Sequence, residues 1–440
     1  MIEASVNIRK QDKWYQWLVV GILSLAAIVS YVDRQIINLL VEPIKLDLGI
    51  SDTQISLLQG FSFAMFYALL AIPIARVADS GNRVRVIIIG IIIWSMATFS
   101  CGLAVGFWSL FIARIFVGAG EATLSPAGYS LLGDYFTKEK LPLAISVFTG
   151  AGFVGSGIAL ILGAFVIDKV MVLGDISLPI LGDVQSWQFI FMLVALPSIL
   201  LVLLMGLVKE PPRTGEINVD SSNVPLKEVL QYIITNRRIF FAIFIGFTLM
   251  ASAQFGIGAW VPSFFVRTYG WTPSEIGTWF GIIAAIFSTA GVVTGGWLSS
   301  RITKSGILGS NFLVPIIATL ICIPIAIAFP IIGSAKSSLI LLAPLLFFGA
   351  MPFGTGTATL PQIAPNRMRA QVVAMYLLIA NLIGFTLGPT GVAITTDLWF
   401  GDPNLISYSM ALVPPILMFF GAIVVASGLE DYKKYLILDK

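Results

Sequence analysis

The chain has 440 residues, of which 57% are hydrophobic and 11% charged, and its mean hydropathy is +0.94. Its charged share is about half that of a typical soluble domain, which excludes a water-soluble globular protein and places the chain in the membrane class. A net charge of +3, no histidine and two isolated cysteines, Cys101 and Cys322, leave no basis for nucleic-acid binding, a thiolate metal site or a disulfide framework.

The first 12 residues carry both charge signs, and the apolar run that follows lacks a small-residue cleavage signal, so helix 1 is expected to be retained. Crossing the hydrocarbon core takes about 20 apolar residues, and the chain supplies a series of such runs separated by polar or Gly- and Pro-rich breaks. The first six cover 15–38, 55–78, 84–104, 107–130, 142–167 and 186–208; the second six cover 238–266, 273–298, 308–330, 337–360, 369–394 and 404–428. The expected fold is therefore an all-α polytopic membrane protein with twelve transmembrane helices in two six-helix bundles.

The expected division is an N-terminal bundle over 1–208, a cytoplasmic linker over 209–237 and a C-terminal bundle over 238–440. Pro211 and Pro212 stop helix 6, and the stretch from Pro225 to Leu230 can begin a short surface helix before helix 7. If the N-terminus is cytoplasmic, twenty of the 26 Lys and Arg residues fall on that side, four fall on the other, and Arg34 and Arg114 lie inside spans. Such a positive-inside bias predicts that both termini are cytoplasmic, and a bacterial inner membrane is the expected location.

Charges inside membrane helices are costly and call for a protein- or water-lined path. Helix 1 carries Asp33 and Arg34 within Ser30-Tyr31-Val32-Asp33-Arg34-Gln35, and helix 4 carries Arg114 and Glu121. The seven residues from Arg114 to Glu121 are two helical turns, roughly 10 Å, so both side chains can enter one cavity. Without histidine, proton traffic falls to Asp or Glu. Glu121, in Gly118-Ala119-Gly120-Glu121-Ala122, is set among small residues that let a neighbouring helix approach. The alternative is that these charges merely pair and hold helices 1 and 4 together.

Gly150, Gly152, Gly155, Gly157 and Gly163 in helix 5, and Gly384, Gly388 and Gly391 in helix 11, read as surfaces for close helix crossings. Phe61, Phe63, Phe66 and Tyr67 cluster in helix 2, and Trp260, Phe264 and Phe265 in helix 7; most are expected to pack or face lipid. Tyr31, Phe61, Tyr67, Trp260 and Asn381 are the candidate cavity-lining residues, and an aromatic lining favours an amphipathic cargo.

The loop Ala75-Arg76-Val77-Ala78-Asp79-Ser80-Gly81-Asn82-Arg83-Val84-Arg85 resembles the signature loop of the major facilitator superfamily. Ala75 stands where that family has glycine and Ser80 where it has arginine. The resemblance implies a cytoplasmic gate built from Asp79, Arg83 and Arg85, with Arg301 in the related loop of the second half, where Ser300 replaces the expected acid. Tyr31-Val32-Asp33-Arg34, Ser51-Asp52-Thr53-Gln54, Trp94-Ser95, Ala113-Arg114, the Gly118–Ala122 stretch and Pro365-Asn366-Arg367-Met368-Arg369-Ala370 are similar to the spinster-like branch. That resemblance implies proton-linked secondary transport of a lysophospholipid or sphingolipid-type anion. Asp33 and Glu121 would be the protonatable groups, and Arg34 and Arg114 the charge partners or anion binders.

A membrane enzyme would need a nucleophile, metal cluster or phosphate-cradling loop, and the chain offers no such constellation. A transporter of small organic or sugar acids is the competing transport reading, and a receptor or scaffold without transport is a further one. No cofactor or metal is expected. The partners are the cargo, protons and membrane lipids, and a monomer suffices because one chain supplies both bundles.

Overall fold

The computed structural model describes residues 13–137, 140–173, 176–179, 182–213, 224–365 and 367–438. Among them are 12 helices long and apolar enough to cross a membrane. The first six spans are Trp14–Leu39, Asp52–Ala71, Arg83–Cys101, Phe107–Tyr135, Leu143–Met171 and Ser186–Gly206. The last six are Arg237–Tyr269, Pro273–Lys304, Ser310–Ile331, Ala335–Gly356, Gln371–Phe400 and Pro403–Ile437. The break between spans 3 and 4 falls at Gly106, where Ser109 Oγ accepts from the main-chain N–H of Val105 and of Gly106.

Three local features depart from the smooth spans that hydropathy alone suggests. Between spans 5 and 6, β1 (Ile176–Leu178) pairs antiparallel with β2 (Gly182–Val184), which the hydropathy pattern does not foretell. Span 4 turns at Ala122 and Thr123, one residue after Glu121, where Thr123 Oγ1 donates back to Gly120 O at 2.8 Å. Four spans carry π-helical segments, Leu57–Phe61, Ala242–Phe247, Ala284–Ser288 and Thr395–Phe400. Each inserts a wide turn that re-aims the side chains beyond it.

Spans 1 and 5 pack along their length, as do spans 7 and 11 and spans 9 and 12. The two sets of six meet along span 2 against span 11 and span 5 against span 8. Glycines permit both crossings. A Cβ on Gly60 would sit 1.9 Å from Phe385 O, and one on Gly157 2.4 Å from Gly281 O. The expected glycine surface of span 5 thus packs closely, with Gly152 against Tyr31 and Gly155 against Ile28, although Gly150 faces open space.

Hydrogen bonds that cross from the first six spans to the last six gather at the end away from the chain termini. Ser51 and Gln54 form a reciprocal cap that starts span 2, and the first-turn N–H of Thr53 is left pointing outward. Asp397 at the end of span 11 accepts from that N–H and from Thr53 Oγ1, both at 2.7 Å. A carboxylate from one half therefore caps a helix N-terminus of the other. Beside it Arg267, at the end of span 7, grips Asp52 through two hydrogen bonds of 2.6 and 2.7 Å and Glu42 at 2.8 Å, while Lys45 pairs with Asp52. Deeper along the same seam, Ser56 Oγ donates to Thr390 Oγ1 and Gln59 Nε2 to Ala259 O.

At the opposite end the polar contacts recorded among the described residues include strong ones within each half. Arg83 donates to Glu210 at 2.6 Å and also pairs with Asp134, joining the start of span 3 to the ends of spans 4 and 6. In the second half Ser299, Ser310, Asn311, Gln362 and Tyr432 form a neutral network.

Candidate functional site

Ser30 and Arg34 are four residues apart on span 1 and so share a face; Asp33, one residue earlier, points about 100° away. Glu121, just before the turn in span 4, meets the first of these faces. Its Oε2 accepts from Arg34 Nε at 2.5 Å and from Ser30 Oγ at 3.0 Å, while its Oε1 is buried without a hydrogen-bond partner among the described residues. The Glu121 side chain is sealed and the Arg34 side chain 16% exposed, so the pair lies at the edge between packed interior and open space.

Asp33 lies behind this edge. It is wholly buried, and neither carboxylate oxygen has a hydrogen-bond partner among the described residues; Thr98 Oγ1 on span 3 is likewise buried and unpartnered. Such a group is costly to hold ionised in a dry site. Arg114 has a different job from the one its spacing to Glu121 suggested. It is buried and donates through Nη1 to the main-chain carbonyl of Asp33 at 3.0 Å and through Nε to that of Leu58 at 3.2 Å. One guanidinium thus ties spans 1, 2 and 4 through backbone groups, whereas the ion pair with Glu121 goes to Arg34.

Aromatic rings surround the exposed edge. The Arg34 guanidinium carbon sits 4.5 Å from the ring centre of Phe63 and 5.0 Å from those of Tyr31 and Tyr67. Phe63 is 5.8 Å from Arg114 as well, so a single span 2 ring serves both arginines. Its edge meets Phe385 of span 11 at 6.2 Å, and Phe385 stacks on Phe255 of span 7 at 4.0 Å. The result is a cationic group set in an apolar, ring-lined wall that spans both halves. Of the helix 2 aromatics, Phe63 is the one that structure singles out; sequence grouped it with packing residues because burial on a particular face is not visible in composition.

Among the expected lining residues, Tyr31 and Tyr67 are half-buried beside Arg34. Phe61 is half-buried and packs against Phe111 with ring centres 6.4 Å apart, and Asn381 is half-buried on span 11. Trp260 is fully buried, with Nε1 donating to Pro389 O at 2.8 Å. It lines no open space here, because the close crossing of spans 7 and 11 at Gly256 and Gly388 encloses it.

For the expected gate, Arg83 is buried in the pairs with Asp134 and Glu210; Arg85 is exposed; and Arg301 is exposed with its guanidinium 5.2 Å from the Trp297 ring. The side chain of Asp79 lies outside the described residues. The residues that sequence reasoning did not single out are those that join the two halves: Glu42, Asp52, Arg267 and Asp397. The available signal was that Arg267 is one of only four basic residues on its side of the membrane and that Asp52 opens a span directly after a capping serine. No group of three or more metal-ligating side chains occurs among the described residues.

The profile of the Major Facilitator Superfamily matches residues 23–389. Among curated proteins the chain is 24% identical over 426 residues to an MFS-type efflux pump of Mycolicibacterium smegmatis, covering 96% of this chain and 94% of that one. It is 25% identical over 479 aligned positions to the sphingosine-1-phosphate transporter SPNS2 of Xenopus tropicalis, covering 98% and 87%. Among solved structures it is similar, with a TM-score of 0.80 and 26% identity over 97% of this chain and 98% of the other, to a bacterial homolog of the human lysosomal transporter Spinster in an inward-facing, unoccupied conformation. The twelve spans, the buried charges of the first half and these likenesses agree: the chain belongs to the major facilitator superfamily, in its spinster-like branch, and is a secondary active transporter.

Proposed function

We propose that the chain moves an amphipathic lipid-like anion, of the lysophospholipid or sphingosine-phosphate class, driven by protons. The carrying observation is the Arg34–Glu121 pair at the edge of a ring-lined wall, with the unpartnered Asp33 carboxylate behind it. Asp33 is the second protonatable group of this reading, buried behind the pair with Arg114 donating to its main-chain carbonyl. When Glu121 takes a proton it no longer competes for Arg34, and the guanidinium becomes available to an anionic headgroup while the half-buried rings of Tyr31 and Tyr67, backed by the buried Phe63, meet the apolar tail. The name of the Xenopus relative supports this cargo class.

The functional units are the bundles 1–208 and 238–440, joined by the linker 209–237, and one chain is the working unit. With both termini cytoplasmic, the end sealed by Arg267, Asp52 and Asp397 faces away from the cytoplasm and this is the inward-facing state. Asp79, Arg83, Arg85 and Arg301 form the cytoplasmic gate that closes in the opposite state.

The test is uptake of a fluorescent lysophospholipid into proteoliposomes under an imposed pH gradient. Wild-type protein responds to the gradient, and Glu121→Gln and Asp33→Asn lose that response while remaining monodisperse. Gradient dependence retained in both variants removes the coupling role. Uptake of a sugar acid in place of the lysolipid transfers the same machinery to a small-anion carrier.

A further inference from the structure

The polar segment between the halves contains a helix, Leu226–Thr235, that starts after Pro225 and ends at Asn236, directly before span 7. Its ten residues present three different faces. Val229 is fully buried and Tyr232 OH donates to Ile363 O at 2.5 Å, which seats one side on the second half. Gln371 Nε2 donating to Val224 O and the pair Arg367–Glu228 fix the same seat. Leu226, Leu230 and Ile234, spaced four apart, form a second stripe that is 59%, 39% and 66% exposed. Lys227, Gln231 and Thr235 follow round the helix as a third, polar and exposed face.

A helix packed on protein needs one apolar side, and a second, bare apolar side beside a charged one is the signature of a helix lying at a membrane surface. Position agrees. One residue separates this helix from a transmembrane span, and Phe241 in the first turns of that span is 53% exposed, continuing the apolar surface into the lipid-facing belt. The charges choose the lipid. Lys227 and Arg237 flank the stripe, are exposed and have no ion-pair partner among the described residues, whereas the acidic Glu228 and Asp431 nearby are already engaged by Arg367 and Arg238.

We propose that Leu226–Thr235 is an interfacial anchor that inserts Leu226, Leu230 and Ile234 among the headgroups of the leaflet on the side of the termini, and that Lys227 and Arg237 bind anionic phospholipid there. Basic residues near such a surface attract anionic headgroups, and the apolar stripe adds depth. A linker anchored in this way moves with the second half and holds it at fixed depth as the first half rocks against it.

Both native cysteines are buried, so single introduced cysteines can be labelled selectively in the full-length protein. Leu230→Cys and Gln231→Cys, each carrying an environment-sensitive fluorophore, are reconstituted into phosphatidylcholine vesicles with or without phosphatidylglycerol. Quenching is read with a shallow nitroxide lipid and with aqueous iodide. Position 230 is expected to be quenched by the lipid at least about twofold more than position 231, with iodide showing the reverse order. Phosphatidylglycerol strengthens the lipid quenching at 230, and the Lys227→Gln/Arg237→Gln double variant removes that gain. Equal iodide quenching at both positions overturns the proposal, as does protection of position 230 from both quenchers, which would mean that protein covers the stripe. Lipid quenching indifferent to phosphatidylglycerol and to the double variant overturns the headgroup assignment and with it the proposal.

Discussion

The two halves of the molecule have the same number of spans and opposite interiors. The first half carries Asp33, Arg34, Arg114 and Glu121 inside its spans and Arg83, paired with Asp134 and Glu210, near its terminal-side end. The second half has no charged residue over 239–266, 276–300, 306–335, 337–366 or 370–396; its interior polar contacts are neutral, as in Trp260 to Pro389 and the Ser299–Asn311–Tyr432 network. Three of the four π-helical segments lie in this second half. The contrast separates two tasks. Titratable charge inside the spans is concentrated in one half and the other meets it through a largely neutral, irregular surface, so the cross-half ion pairs that must break for movement, among the described residues, are those of Arg267 with Asp52 and Glu42 at the sealed end.

The comparison is broken most directly by moving its chemistry. Glu121→Gln is expected to reduce gradient-driven uptake by at least about tenfold, because it removes the group that takes the proton in the proposed mechanism. Gln254→Ala, which trims a central neutral residue of span 7 lying across Gly349, is expected to keep the gradient response. Loss of the response in both would show coupling spread over both halves.

Arg114 tests whether first-half charge is also structural. Arg114→Met removes the guanidinium that ties the carbonyls of Asp33 and Leu58 together, although Leu58 O keeps its bond from Ser62 Oγ, and is expected to cost about 1–3 kcal/mol, read as lower thermal stability in detergent. Because its guanidinium is engaged by backbone, affinity for anionic and neutral cargo should fall alike; selective loss for the anion would place Arg114 in the binding site instead.

The seam can be pried open from the neutral side. Gly60→Val places carbon where Phe385 O lies and is expected to shift the population away from this state. Spin labels at Leu46→Cys and Leu398→Cys, on exposed positions of the two halves at the sealed end, should then report a mean distance longer by about 5 Å or more. Asp397→Asn weakens the charge on the span 2 N-terminus and should give a smaller shift of the same sign.

The smallest contrast concerns the anchors at the terminal side. Arg83→Gln leaves Asp134 and Glu210 facing each other without their shared cation and should cost about 2–3 kcal/mol, against about 1 kcal/mol for Asn311→Ala in the neutral network. Equal losses, read by thermal unfolding, would mean that the charged anchor is no stronger than the neutral one.

Much of this was legible in the chain itself. Twelve runs of the right length, the break at Gly106 and the proline stop after span 6 follow from solvent physics, because lipid tolerates few charges and no unsatisfied backbone. The four buried charges stood out for the same reason, and so did the linker helix after Pro225. The hairpin at Ile176–Val184 and the π segments did not, since they depend on hydrogen bonds whose alternatives are close in energy and invisible to hydropathy.

Sequence by itself determined that this is a polytopic membrane protein, where its spans lie, and that Asp33, Arg34, Arg114 and Glu121 require an account. Tertiary structure alone decided how they divide: Arg34 to Glu121, Arg114 to backbone carbonyls, Asp33 to a buried position where its carboxylate has no hydrogen-bond partner among the described residues, and Asp52 with Arg267 and Asp397 to the sealed end. The reason is that composition fixes which groups must be kept from lipid, while their partners are set by helix rotation and crossing, which close contacts such as Gly60 on Phe385 determine.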